Sequence, residues 1–203
     1  MGCDIHLWAE RRVDGAWQYA SDNIYDQRNY RTFAILAAVR NDHDMTPISE
    51  PRGLPEDCGD YVREELSNDG GHSASHLTVA EIMAFDWTQM AHMSGWLNGL
   101  GYWLWSGYQC KERRPPDGWC GSVVGGGIEH IGEAEMERRI ADISKRNSNP
   151  RQEIAESLSH IYCCARWETP YYMLSGCFLS EAMPKLWRLG KPGDVRIIFF
   201  FDN

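Results

Sequence analysis

The sequence predicts an α+β fold. It reads as a single domain over residues 1–203, with a mixed or antiparallel central sheet that holds the N- and C-terminal strands and is packed by several helices. Three observations carry this. Residues 3–11 alternate, with Cys3, Ile5, Leu7 and Ala9 on one side and Asp4, His6, Trp8 and Glu10 on the other, the period of a half-buried strand. Val195, Ile197, Ile198, Phe199, Phe200 and Phe201 form an apolar, β-branched and aromatic run, the composition of a buried strand. Between them, Thr78-Val79-Ala80-Glu81 is a capping box with Leu77 and Ile82 placed as a hydrophobic staple, and Met136, Ile140 and Ile143 recur at helical spacing.

Taken in order, the first strand turns at Val13-Asp14-Gly15, and Trp17-Gln18-Tyr19 returns as its hairpin partner. Tyr30, Phe33, Leu36 and Ala37 place a helix within residues 28–40. Pro47, Pro51, Gly53 and Pro55 make residues 44–59 an irregular loop. A short helix over 57–66 follows, then a polar loop over 67–76. The capping box starts a helix at Thr78 that the pattern extends to about Ala91. Residues 95–127 are rich in Gly and Trp, with Tyr102 to Trp105 read as a strand. Helices follow over residues 133–145, after Asn149-Pro150 (through Ile154, Leu158, Ile161 and Tyr162), and over residues 180–189. The strand over 194–202 ends the chain.

Composition excludes several functions. Lys and Arg number 20 against 29 Asp and Glu, a net charge of −9, which argues against general binding to a nucleic-acid backbone. No apolar run of membrane-spanning length occurs; the most apolar stretch, Met93 to Trp105, is broken by Gly95, Gly99 and Gly101. The opening residues lack the charged and apolar regions of a signal peptide. The seven cysteines include no C-x-x-C pair, and Cys163 adjoins Cys164, so reduced thiols in a cytosolic protein are expected.

Three constellations can carry chemistry. Asp4 and His6 share one strand face about 6–7 Å apart, suited to a shared divalent metal or an acid–base pair. If the last strand pairs antiparallel with the first, Asp202 joins them. His72, Ser73 and Ser75, preceded by Asp69, lie just ahead of the Thr78 helix, where hydroxyls and helix N–H groups can hold a phosphate or carboxylate. Arg28, Tyr30 and Arg31 near a helix start can clamp an anion and stack on a base, and Arg40 and Arg52, near proline-rich loops, can contribute. Gly125-Gly126-Gly127 lacks the residues of a phosphate loop. The tryptophans at 96, 103, 105 and 119 read as core, or as the walls of a groove.

Further residues point to a family. Met1-Gly2-Cys3-Asp4-Ile5-His6 opens the chain, Arg28-Asn29-Tyr30 leads into Phe33-Ala34-Ile35-Leu36-Ala37 and Val39-Arg40-Asn41, and Pro51-Arg52-Gly53-Leu54-Pro55 and His72-Ser73-Ala74-Ser75 follow. Together these resemble a family of phage and prophage proteins that begin with the same hexapeptide. The resemblance spans roughly residues 1–90 and, more loosely, the final strand. It implies viral origin, the host-cell cytoplasm and a role in host interaction or counter-defence; it supplies no catalytic residues.

The reading these observations support is a phage accessory protein that binds a phosphorylated, nucleotide-derived small molecule through Asp4, His6, Arg28, Tyr30, Asp69, His72, Ser73, Ser75 and Asp202. Two alternatives stand beside it. One is a metal-dependent hydrolase of nucleotide phosphoesters with Asp4, His6 and Asp202 as ligands to a divalent metal. The other is an acidic protein inhibitor docked on a host defence protein.

Overall fold

Ten residues of alternating character need a partner on each edge before they are stable as a strand, and the computed structural model, which describes residues 2–68, 70–109 and 115–203, supplies both partners. Strand β1 (Asp4–Val13) turns through Asp14 and Gly15, at φ 51° and 84°, into β2 (Ala16–Ser21). Two successive left-handed residues give the twist that a two-residue hairpin requires, and Asp-Gly tolerates it. Helix α1 (Tyr30–Ala37) begins where the Asn29 side chain accepts from the N–H groups of Arg31 and Thr32, and ends at left-handed Ala38. These caps make it shorter than the sequence pattern suggests. Helix α2 (Asp60–Asn68) and strand β3 (His72–Thr78) follow. The capping box is present in full and starts α3 (Val79–Ala84).

That helix stops well before Ala91. Phe85 is extended, and the Asp86 carboxylate accepts from both the N–H and the hydroxyl of Thr88, a side-chain turn that competes with helix. The chain then enters β4 (Met90–Asn98), whose alternate residues Ala91, Met93, Gly95 and Leu97 are buried. Next come α4 (Gly99–Leu104), which runs into a π-helical turn at Trp105–Gln109, then β5 (Glu129–Ile131), α5 (Glu133–Arg146), α6 (Arg151–Ser157), β6 (Ile161–Pro170) and α7 (Tyr171–Leu174). A π-helical turn at Phe178–Ala182 leads into α8 (Met183–Trp187), and β7 (Val195–Asp202) closes the chain. Residues 102–105 are thus helical rather than a strand: the Asn98 side chain caps the Gly101 N–H and starts α4. Ile161 and Tyr162 open a strand instead of ending a helix, and residues 72–76 are strand rather than loop. Among the described residues no helix is long and apolar enough to cross a membrane.

The architecture is α+β. The chain gathers into two compact units, one of Met1–Gln89 with Pro170–Asn203 and one of Met90–Thr169. In the first, an antiparallel sheet runs in the order β2-β1-β7-β3, so the two terminal strands pair as the sequence suggests. The register sets Asp4 opposite Asp202, His6 opposite Phe200 and Glu10 opposite Arg196. Cross-strand partners share a face. Ile5, Leu7, Phe199 and Phe201 therefore point together into the main core, against Phe33 and Leu36 of α1, Ile82 of α3 and Leu186 of α8. On the opposite face Ile198 packs on Cys58 and Val62, with Trp8 and Tyr61 over them.

That second face carries a buried ion network. Arg196 donates through Nε to Glu10 Oε2 at 2.8 Å and through Nη1 to Asp57 Oδ1 at 2.8 Å. Glu10 Oε1 accepts from the Tyr61 hydroxyl at 2.9 Å and the Gly59 N–H at 3.2 Å. The guanidinium also stacks 4.3 Å above the Trp17 ring. Burial, reinforced by the Glu10 carboxylate, pushes the Tyr61 phenol above its ordinary value. The network ties the loop before α2 to the middle of the sheet.

The second unit holds a sheet in the order β4-β6-β5, with β5 parallel to β6. Met136, Ile140 and Ile143 of α5 are buried, as their spacing predicts, and so is Ile154 of α6. Trp105 and Trp167 are core residues, while Trp96 and Trp119 border a cleft of about 160 Å³ with Tyr162.

Candidate functional site

The antiparallel register brings the start of β1, the end of β7 and the start of β3 to one end of the first sheet. Two polar clusters form there, one for each face.

The first joins Asp4, His6, Arg28 and Asp202. Asp202 accepts from the Asp4 N–H through Oδ1 at 3.1 Å, and its Oδ2 lies 3.3 Å from His6 Nε2. The His6 ring stacks on Phe200, its cross-strand neighbour, at 4.8 Å and 13°. Arg28 grips Asp4 with both prongs, Nε to Oδ1 at 2.6 Å and Nη2 to Oδ2 at 2.5 Å. Hydrogen bonds from Arg28 hold the Asp4 carboxyl below the usual carboxylate value. Gly2 makes room for this grip, because a Cβ there would meet an Arg28 guanidinium nitrogen at 2.5 Å. Tyr30 sits beside the cluster, its hydroxyl accepting from the Cys3 N–H at 3.0 Å.

This arrangement is an ionic clasp. Both Asp4 oxygens are taken by Arg28, and among the described residues no group of three or more His, Cys, Asp or Glu side chains is placed to hold a metal ion. A cation at Asp4, His6 and Asp202 would have to displace the guanidinium.

The second cluster lines an open cleft of about 550 Å³ on the other face, between the end of α1 with Arg40, the Glu50-Pro51 segment, His72 and Ser73 of β3, and Asn203. A β-bulge shapes it. His72 pairs with Phe201 and Ser75 with Phe199, so three residues of β3 are spanned against two of β7, and Ser73 takes φ 53° to fit. The freed Ala74 carbonyl accepts from the Gly53 N–H at 2.8 Å, and Ser75, fully buried, accepts from the Arg52 N–H at 3.2 Å. The bulge thus anchors the strap that carries Glu50. Ala38 and Arg40 are left-handed as well, at φ 57° and 54°, so three non-glycine residues of strained conformation border one cleft. Arg40 donates through Nη2 to Asn203 Oδ1 at 2.6 Å and lies 5.8 Å above the Tyr30 ring. His72 Nδ1 is 2.9 Å from Ser73 Oγ, whereas its Nε2 is buried with no hydrogen-bond partner.

The sequence assigns nine residues to one pocket, and the structure divides them. Asp4, His6, Arg28 and Asp202 meet in the clasp, with Tyr30 adjacent. His72 and Ser73 line the cleft on the opposite face, because Asp202 and Phe201 are neighbours on a strand and point opposite ways. Ser75 is structural, and Asp69 lies outside the described residues. Arg52 pairs with Glu81 at 2.7 Å beside the capping box rather than entering the cleft. Glu50 and Asn203, which no sequence motif marks, also line the cleft; Asn203 follows Asp202 and so falls on the cleft side.

No protein-family profile, curated protein or solved structure matches the chain. The chemistry of the cleft therefore stands on its own residues.

Proposed function

We propose that the chain is a phage accessory protein that binds a phosphorylated, nucleotide-derived small molecule in the cleft beside His72 and so withholds it from a host defence. The observation that carries this reading is the orphaned His72 Nε2 in the wall of a cleft that also presents Arg40 and Ser73. An unmade hydrogen bond on a buried polar atom costs about 1–3 kcal/mol. A ligand oxygen bonded to Nε2 removes that cost. In the tautomer where the Ser73 hydroxyl donates to Nδ1, Nε2 carries the proton and becomes a donor, the polarity a phosphate oxygen needs. Arg40 has five N–H donors and uses one on Asn203.

Calorimetric titration with mono-, di- and cyclic dinucleotides tests the reading. The double variant His72→Ala, Ser73→Ala should bind roughly ten- to a hundredfold more weakly, the loss expected for charge-assisted hydrogen bonds. It should still fold, because both side chains lie outside the apolar core. Wild-type affinity in the folded double variant, or no binding of any phosphorylated nucleoside by the wild type, refutes it.

A further inference from the structure

The cleft is not uniformly suited to an anion. Glu50 is exposed on its wall and has no hydrogen-bond or ion-pair partner among the described residues. The C-terminal end of α1 borders the same space, and a helix C-terminus carries partial negative charge from its unpaired carbonyls. A bare phosphate would meet both as repulsion. Arg40, His72 and Ser73 supply donors, and Asn203, whose Oδ1 accepts from Arg40, offers its amide N–H groups. The cleft thus has two kinds of wall, one donating and one accepting.

Resting on the phosphate-binding reading above, we propose that Glu50 reads the base of the ligand, and that the cleft selects a guanine-type nucleotide. The reasoning is stereochemical. A free carboxylate has two oxygens side by side and is best matched by two parallel N–H donors. Among the common bases only guanine presents such an edge, its ring N1–H beside its exocyclic amine. Adenine and cytosine flank their amine with a ring acceptor, which faces the carboxylate with a lone pair. Hypoxanthine keeps the ring N–H and loses the amine. The volume of about 550 Å³ lies in the ordinary range for small-molecule sites.

The test is calorimetric titration of the whole chain, wild type and Glu50→Gln, with guanosine, inosine and adenosine 5′-monophosphates and with ribose 5-phosphate. Wild type should prefer the guanine nucleotide over the inosine one by about tenfold, the effect of one charge-assisted hydrogen bond, and over the adenine one by more. Glu50→Gln should bring the three nucleotides within about twofold of one another, because a neutral amide oxygen offers one acceptor in place of the paired carboxylate. Equal affinities of the three for the wild type overturn the guanine assignment and leave the phosphate reading standing. Preference that survives in Glu50→Gln overturns the role of Glu50. Failure of all four compounds to bind overturns the phosphate reading itself.

Discussion

Replacing Arg196 by Met tests whether the buried ion network is structural in the way its geometry implies. The Arg196 and Glu10 side chains are only 5% and 2% exposed, so neither can be rehydrated without opening the fold. Met fills most of the volume of the arginine stem but leaves the Glu10 carboxylate with the Tyr61 hydroxyl and the Gly59 N–H and no cation. Removing one partner of a buried pair costs about 3–5 kcal/mol. Loss of the cation stacked on Trp17 adds about 0.5–1 kcal/mol. Asp57, 63% exposed, returns to water and adds little. A loss of about 4–6 kcal/mol is therefore expected, a large share of the roughly 5–15 kcal/mol typical of a domain. Urea unfolding at pH 7, followed by tryptophan fluorescence, measures it. Adding Glu10→Gln removes the stranded charge, so the double variant should recover about half of the loss. A loss under 1 kcal/mol in Arg196→Met refutes the reasoning, as does a double variant that merely adds a second penalty.

Two further outcomes are expected. Thr78→Ala should cost about 1 kcal/mol through the lost cap of α3, seen as a lower urea midpoint with an unchanged slope. In the second unit, hydrogen bonds from Arg138 and Arg139 hold the Glu135 carboxyl down to about 2, against an ordinary 4.5. A depressed carboxyl stabilises the fold above its unfolded value and loses that contribution as pH falls toward the folded one. The difference in melting temperature between wild type and Glu135→Gln should thus be present at pH 7 and shrink between pH 4.5 and about 2; a difference that is constant over that window contradicts it.

Three strands of the first sheet were legible because they carry strong local signals: alternation in β1, the Asp-Gly turn into β2, and seven consecutive buried residues from Val195 to Phe201 in β7. Pairing of β1 with β7 then placed Asp202 beside Asp4 and His6 by register alone. The second sheet was not legible. The buried positions of β4 are Ala91, Met93, Gly95 and Leu97, none of them β-branched or aromatic, and they follow a helix signal that Asp86 and Thr88 cut short. β3 hid in the polar string His72-Ser73-Ala74-Ser75-His76, which packs only because β7 provides the apolar side of the contact. The division of the site into two faces was hidden for a related reason. A bulge at Ser73 cannot be read from composition, and proximity at one end of a sheet does not say which face a side chain takes.

The order of strands in the first sheet also bears on how the chain reaches its native state. β7 is the central bridge between β1 and β3, and its contact with Asp4 spans 198 positions along the chain. Loop closure over such a distance is slow, and topologies rich in it fold slowly. Met90–Thr169, by contrast, is continuous and has all the partners of its own sheet at hand before Val195 is made. During synthesis that inserted segment can mature first, while the β1–β2 hairpin waits with Ile5, Leu7 and Ala9 uncovered. A nascent chain halted before β7 therefore carries a sheet without its middle, with two open edges and a bare apolar side, and is the species a chaperone or a protease meets.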